Sequence, residues 1–263
     1  MKNLKYLVLL LISIFLINTA PVSAQFNPKV TFEPIEKKRA KTENKATDKI
    51  SYYTKRYKAL YLSDKIVDNY GNGFEKLYGL RNVRPVLHGV VYRGGSNNYY
   101  HRTNKRKNHN PLPNDGLKAL ANEGFSAAVY LYKKNFKTAP SSVVSDNGRD
   151  TLKYHKNTLP NRKAVGKIVA MVHNVIVDNS VGPVYLHCWN GWHQSGFISA
   201  VLLMQFCDYS PAKALHYWET CTDNNHKKYD HIKKRILKFK KFKGFEISKE
   251  MRKKLCPKPV KKK

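Results

Sequence analysis

The sequence predicts an α/β fold, a sheet flanked by helices, and three observations predict it. Runs rich in β-branched and aromatic residues alternate with stretches of helical period. Glycine and helix-capping residues punctuate the boundaries. One apolar run, residues 184–187, delivers Cys188 into a short glycine-bearing loop that leads straight into a helical pattern. Taken in order, residues 86–93 read as a strand closed by Gly94-Gly95. Asn114-Asp115 cap a helix over 116–122 that Gly124 terminates. Residues 126–132 form a second strand and 152–155 a third. A helix over 162–178 carries Val165, Ile168, Val169, Val172, Val175 and Ile176 on one face. This alternation places the cysteine loop at the carboxyl ends of the strands, between strand and helix. No repeat of solenoid period occurs.

The loop carries the chemistry. It runs Cys188-Trp189-Asn190-Gly191-Trp192-His193-Gln194-Ser195-Gly196, and the helical pattern follows from Phe197. Backbone N–H groups of such a loop converge on an anion, and the helix dipole adds positive potential. The same field favours a thiolate, which makes Cys188 a candidate nucleophile. His187, Cys188, Gly191, Ser195 and Gly196 resemble the signature of the cysteine-dependent protein tyrosine and dual-specificity phosphatases. Tyr92-Arg93-Gly94-Gly95 resembles the entry turn of the atypical dual-specificity members, so the likeness spans about residues 85–222. It implies a tyrosine-phosphatase-like sheet flanked by helices. It also implies Cys188 as nucleophile, Ser195 assisting the thiolate as leaving group, and His187 fixing the loop. Trp189, Asn190, Gly191, Trp192, His193 and Gln194 would then bind phosphate.

Two departures bear on activity. The family's arginine position holds Gln194, which has no charge and at most two N–H donors. Losing one charge-assisted donor at such a site costs roughly 10²–10³ in rate. The stretch 152–161, where the family carries its acid, contains no carboxylate; Asp146 and Asp150 lie upstream and His155 is the other titratable group. Arg93, Lys156 and His193 are candidates to compensate for the missing arginine, each with a structural role as the more economical reading. Trp189 and Trp192 either rim the site or fill the space behind the loop. No zinc-ligand spacing is present, and no cofactor is implied.

Residues 1–24 have a basic start, a short apolar core and Val22-Ser23-Ala24 before Gln25, the pattern of a cleaved secretory signal. The core is shorter than the ~20 residues of a membrane span. The expectation is an exported protein, periplasmic or extracellular, with no transmembrane span after cleavage. Of four cysteines, Cys207 and Cys221 suit a disulfide across a helical hairpin, with a buried, unpaired Cys207 as the alternative; Cys256 lies in the tail.

Residues 25–79 read as a basic linker and arm, 80–225 as the domain, and 226–263 as a basic helical extension ending in a disordered tail. The chain holds 49 Lys and Arg against 18 Asp and Glu, a net charge of +31. Residues 227–263 alone carry 17 basic and three acidic residues. Such a field favours anionic partners without choosing among them. Ile232, Ile236, Phe239 and Phe242 fall at helical spacing among lysines. That stripe either docks on the domain, the simpler reading, or meets an anionic surface or polyanion. The basic, aromatic segment 97–110 reads as a solvated loop beside the site, with nucleic-acid contact as the alternative. Three functions follow. The chain is an exported phosphate-monoester hydrolase of altered catalysis, an inactive binder of phosphate-bearing ligands, or a polyanion binder acting through its tail.

Overall fold

A computed structural model describes residues 49–96, 98, 99, 105, 111–133, 136–178 and 180–261. Residues 1–24, expected to be a secretory signal, residues 25–48 and most of 97–110 lie outside the described residues. The α/β sheet flanked by helices is present, with the cysteine loop between a strand and a helix.

Helix α1 covers residues 49–57. Strands β1 (Arg81–Leu87) and β2 (Val91–Gly95) form an antiparallel hairpin. The sequence expectation of one strand over 86–93 is corrected here. Gly89, at φ +67°, turns the chain, and its Cβ would lie 2.7 Å from Ile50 Cα, so only glycine fits. Helix α2 (Asn114–Asn122) follows. Its N-cap is Pro113 with no side-chain cap, so Asn114 and Asp115 fall inside the helix. Gly124, at φ +75°, ends it as expected. Next come β3 (Ala127–Tyr130), β4 (Ser142–Val144), β5 (Thr151–Lys156), α3 (Arg162–Val177), β6 (Val184–Cys188), α4 (Gln194–Phe206), α5 (Pro211–Thr220), α6 (Asp230–Leu237) and α7 (Lys249–Leu255).

The sheet order is β1-β2-β6-β3-β5-β4. Strands β2, β6, β3 and β5 run parallel, and β1 and β4 are antiparallel edges. Period-2 alternation divides the side chains between two cores. Val91, Val129, Val184, Leu186 and Cys188 join the core that also contains buried residues of α3 to α7. Tyr92, Ala128, Tyr130, Tyr154 and Tyr185 join the core of α1 and α2. Helix α4 is buried along its whole length after Gln194, which is why its sequence is apolar on every side.

The ends of the chain are more tightly held than their composition suggests. From residue 49 the expected arm is packed: Ile50, Tyr53, Tyr57 and Leu62 are buried. The tail beyond 256, expected to be disordered, is pinned through residue 261. Leu62 N–H donates to Lys258 O at 3.0 Å, Lys258 N–H to Leu60 O at 2.8 Å, and Lys261 N–H to Ser63 Oγ at 3.2 Å. The disulfide joins Cys207 to Cys256, not to Cys221. Cys221 lies buried with its thiol toward Leu62 O, while α7 brings Cys256 to the end of α4. The stripe of the extension docks as the simpler reading has it. Ile232 and Ile236 are buried, and Phe242 is bonded through its backbone to both ends of the Gln205 amide. Among the described residues no helix is long and apolar enough to cross a membrane.

Candidate functional site

Cys188 ends β6, and its Sγ lies 3.4 Å from Ser195 Oγ in the first turn of α4. Between them, Gly191 adopts φ +76°. A Cβ there would lie 2.6 Å from Gly94 C, and a Cβ on Gly95 would lie 2.6 Å from Asn190 C. The loop therefore packs backbone to backbone on Gly94-Gly95, a contact that requires glycine on both sides. Ser96 N–H also donates to Trp189 O at 2.8 Å. Helix α4 starts without a side-chain cap, so its dipole and first-turn N–H groups face the loop.

Two buried side chains orient the loop's peptides. Asn82 Nδ2 donates to Asn190 O at 3.2 Å and to Gly191 O at 3.4 Å. Arg93 Nη1 donates to Gly191 O at 2.8 Å, and its Nη2 donates to Cys221 O at 2.9 Å. In a trans peptide the carbonyl and N–H point opposite ways. Holding these two carbonyls therefore turns the N–H groups of Gly191 and Trp192 away from Asn82 and Arg93, and neither has an acceptor among the described residues. Arg93 is fully buried, and no carboxylate pairs with it among the described residues. Burial opposes its charge, but Tyr217, the two free cysteines and Asp223 outweigh burial and hold its pKa above the usual range. In the sequence Arg93 stands out only as one possible compensating cation, and Asn82 does not stand out at all. A left-handed φ of +50° suits asparagine, but nothing in the local pattern marks that position.

The remaining expected residues fall into distinct roles. His187 points to the face opposite Cys188. It stacks on Tyr130, Tyr154 and Tyr185, with Nε2 at 2.8 Å from Tyr154 Oη and Nδ1 at 3.2 Å from Cys188 O. It thus reaches the start of the loop from the far face of β6, through the backbone of Cys188. Trp192 Nε1 donates to Asp223 Oδ2 at 3.1 Å, tying the loop to a carboxylate that also accepts from Arg84, Lys65 and the Asn69 amide. Burial alone would raise the Asp223 pKa, but those neighbours outweigh it and hold the carboxyl below the usual range. Trp189 is half-buried and leans on Tyr132, with ring centroids 5.6 Å apart. His193 stacks on Tyr229 at 3.5 Å, and its Nε2 lies 2.6 Å from Asn225 O. Burial pushes its imidazole down, so at neutral pH it does not supply the missing cation. Gln194 is half-buried and bonds to no side chain among the described residues.

The two carboxylate candidates fail on geometry. The register aligns Ala127 with both Lys153 and Val184, so Asp146 and Asp150 lie at the end of the sheet opposite Cys188. Asp146 pairs with Lys118 there. His155 is exposed on β5, and Lys156 donates to Lys133 O. Among the described residues no group of three or more potential ligands could hold a metal.

No protein-family model and no curated protein sequence matches the chain. Among solved structures, the core catalytic domain of the PP-IP phosphatase Siw14 from S. cerevisiae, in complex with citrate, aligns at 13% identity with a TM-score of 0.41. The alignment covers 61% of this chain and 86% of that one. Tk-PTP in its active form aligns at 14% identity with a TM-score of 0.40, covering 59% and 96%.

Proposed function

We propose that this protein is an exported, cysteine-phosphatase-like hydrolase that cleaves phosphate monoesters slowly through a Cys188 thiolate. The observation that carries the reading is the Cys188–Ser195 contact of 3.4 Å, within a loop whose carbonyls are held away by Asn82 and Arg93. The Cys207–Cys256 disulfide supports an oxidising compartment.

The thiolate attacks phosphorus and the bond to the leaving oxygen breaks, giving a phosphocysteine. Asp223, the carboxylate that touches the loop, is held ionised and has no proton to give at neutral pH, so the leaving oxygen takes its proton from solvent. Water then attacks phosphorus and loses its proton to solvent. The phosphorus–sulfur bond breaks with its electron pair returning to sulfur, which the Ser195 hydroxyl stabilises by donating a hydrogen bond. Loop N–H groups and the α4 dipole carry the charge that an arginine at 194 would neutralise.

A second reading, phosphate binding without turnover, is favoured by the uncharged Gln194. Assay of an activated aryl phosphate under reducing conditions separates the two, using the parent, Cys188→Ser and Gln194→Arg. Hydrolysis lost in Cys188→Ser supports catalysis. A silent parent beside an active Gln194→Arg supports a binder. Silence in all three removes the catalytic reading. Without a proton donor, an aryl ester with a good leaving group is expected to outpace an alkyl ester by about 10²–10⁴ beyond the family's usual spread.

A further inference from the structure

We propose a second anion subsite beside the cysteine loop, which makes the ligand class a molecule bearing at least two phosphate or sulfate groups. It rests on the preceding reading for the first of those groups. A cavity of about 270 Å³ is lined by Asn161 and Arg162 at the start of α3, Phe197 in α4, and Lys234, Arg235 and Lys238 of α6 and its C-cap. Helices α3 and α4 both begin where parallel strands end, so the cavity and Cys188 share the carboxyl end of the sheet.

Four cations converge there, and none is paired with a carboxylate among the described residues. Two are fixed by other means. Arg235 lies 4.1 Å over the Phe197 ring and donates to Leu159 O at 2.6 Å. Arg162 lies 3.9 Å over Phe242 and donates to Lys240 O and Lys241 O. Both guanidinium groups are thus held in place without being neutralised, which suits planar donors for phosphate or sulfate.

The dipole of α6 favours cations at its carboxyl end and accounts for Lys234, Arg235 and Lys238 singly. It does not account for Arg162. That residue occupies the first position of α3, where a cation opposes the dipole and no acidic residue offsets it. Lys234 and Lys238, one turn apart, also repel each other. A bound anion relieves both conflicts.

The test is an orthophosphate titration of the full chain followed at backbone amides by ¹⁵N NMR, in the parent and in Lys234→Glu with Lys238→Glu. Both lysines are exposed. The expected result is saturable shifts at Arg162 and Lys163, separate from those at Gly191 and Trp192. The double variant should weaken the first set at least about tenfold and leave the second within about twofold. Unmoved Arg162 and Lys163, or parent affinity in the variant, overturns the subsite. Shifts at Arg162 and Lys163 with none at Gly191 and Trp192 support the subsite and overturn the loop reading instead. A sedimentation arm uses phosphatidylcholine vesicles with and without phosphatidylglycerol. Pelleting that the double variant abolishes supports a lipid headgroup as the anion's source. No pelleting, with the NMR shifts intact, supports a soluble one.

Discussion

Replacing Arg93 with methionine keeps an unbranched chain in the core and removes the cation beneath the loop. Two carbonyls, Gly191 O and Cys221 O, lose their donors at 2.8 and 2.9 Å. Cys221 O is left unsatisfied at a cost of about 1–3 kcal/mol, and Gly191 O loses the shorter of its two bonds at about 0.5–1.5 kcal/mol, so the pair amounts to roughly 1.5–4.5 kcal/mol. Relief of the buried charge offsets part of this, so about 1–3 kcal/mol is the expected net loss of stability. Asn82 still reaches Gly191 O, at 3.4 Å, so the peptide is loosened rather than released. Urea denaturation reads the stability, and orthophosphate titration at the Gly191 and Trp192 amides reads the orientation of the loop. Phosphate affinity should fall at least about tenfold, with partial rescue by Arg93→Lys, which restores charge but not the two-pronged geometry. Stability within about 0.5 kcal/mol of the parent, with unchanged phosphate shifts, would refute this role for Arg93.

Other expectations follow from single contacts. Gly191→Ala places a side chain at φ +76° and 2.6 Å from Gly94 C, so it should cost at least about 1–2 kcal/mol in urea denaturation and abolish the phosphate shift. Burial lowers the His88 pKa to about 4. The unfolded chain therefore binds the extra proton first, and stability falls as pH drops from about 6.5 to 4, by roughly 3 kcal/mol. His88→Gln should remove that share of the acid sensitivity when the two proteins are unfolded at pH 7 and at pH 4. Reducing the Cys207–Cys256 bridge, which spans 49 residues, should lower stability by about 4 kcal/mol on the chain-entropy account, seen as a shifted urea midpoint with dithiothreitol. The matched Cys207→Ser, Cys256→Ser protein should show no such shift.

What the sequence disclosed, and what it withheld, divides along the range of the interactions. Val184 to Cys188, the loop and α4 were legible because strand, glycine turn and buried helix each leave a local pattern. The β1–β2 hairpin was not, because both strands are buried on both faces, so the β-rich run continues across His88-Gly89 with no polar alternation to mark the turn. Asn82 and Arg93 act on a loop about a hundred residues away, through bonds that no periodicity records. The same holds for Cys207 and Cys256, and for Lys258 against Leu60 and Leu62: composition made the tail look solvated while its backbone was paired. His187 shows the converse. Its place next to Cys188 suggests a residue that fixes the loop, but only the strand alternation and the three tyrosines show from which face it does so.

Mass spectrometry of the acid-quenched protein during turnover of an activated aryl phosphate bears most directly on the central claim. The account predicts that the peptide containing Cys188 gains one phosphoryl group, and that Cys188→Ser neither gains it nor releases phenol. Phenol release without modification at Cys188, or an unmodified Cys188 with no release, would contradict it.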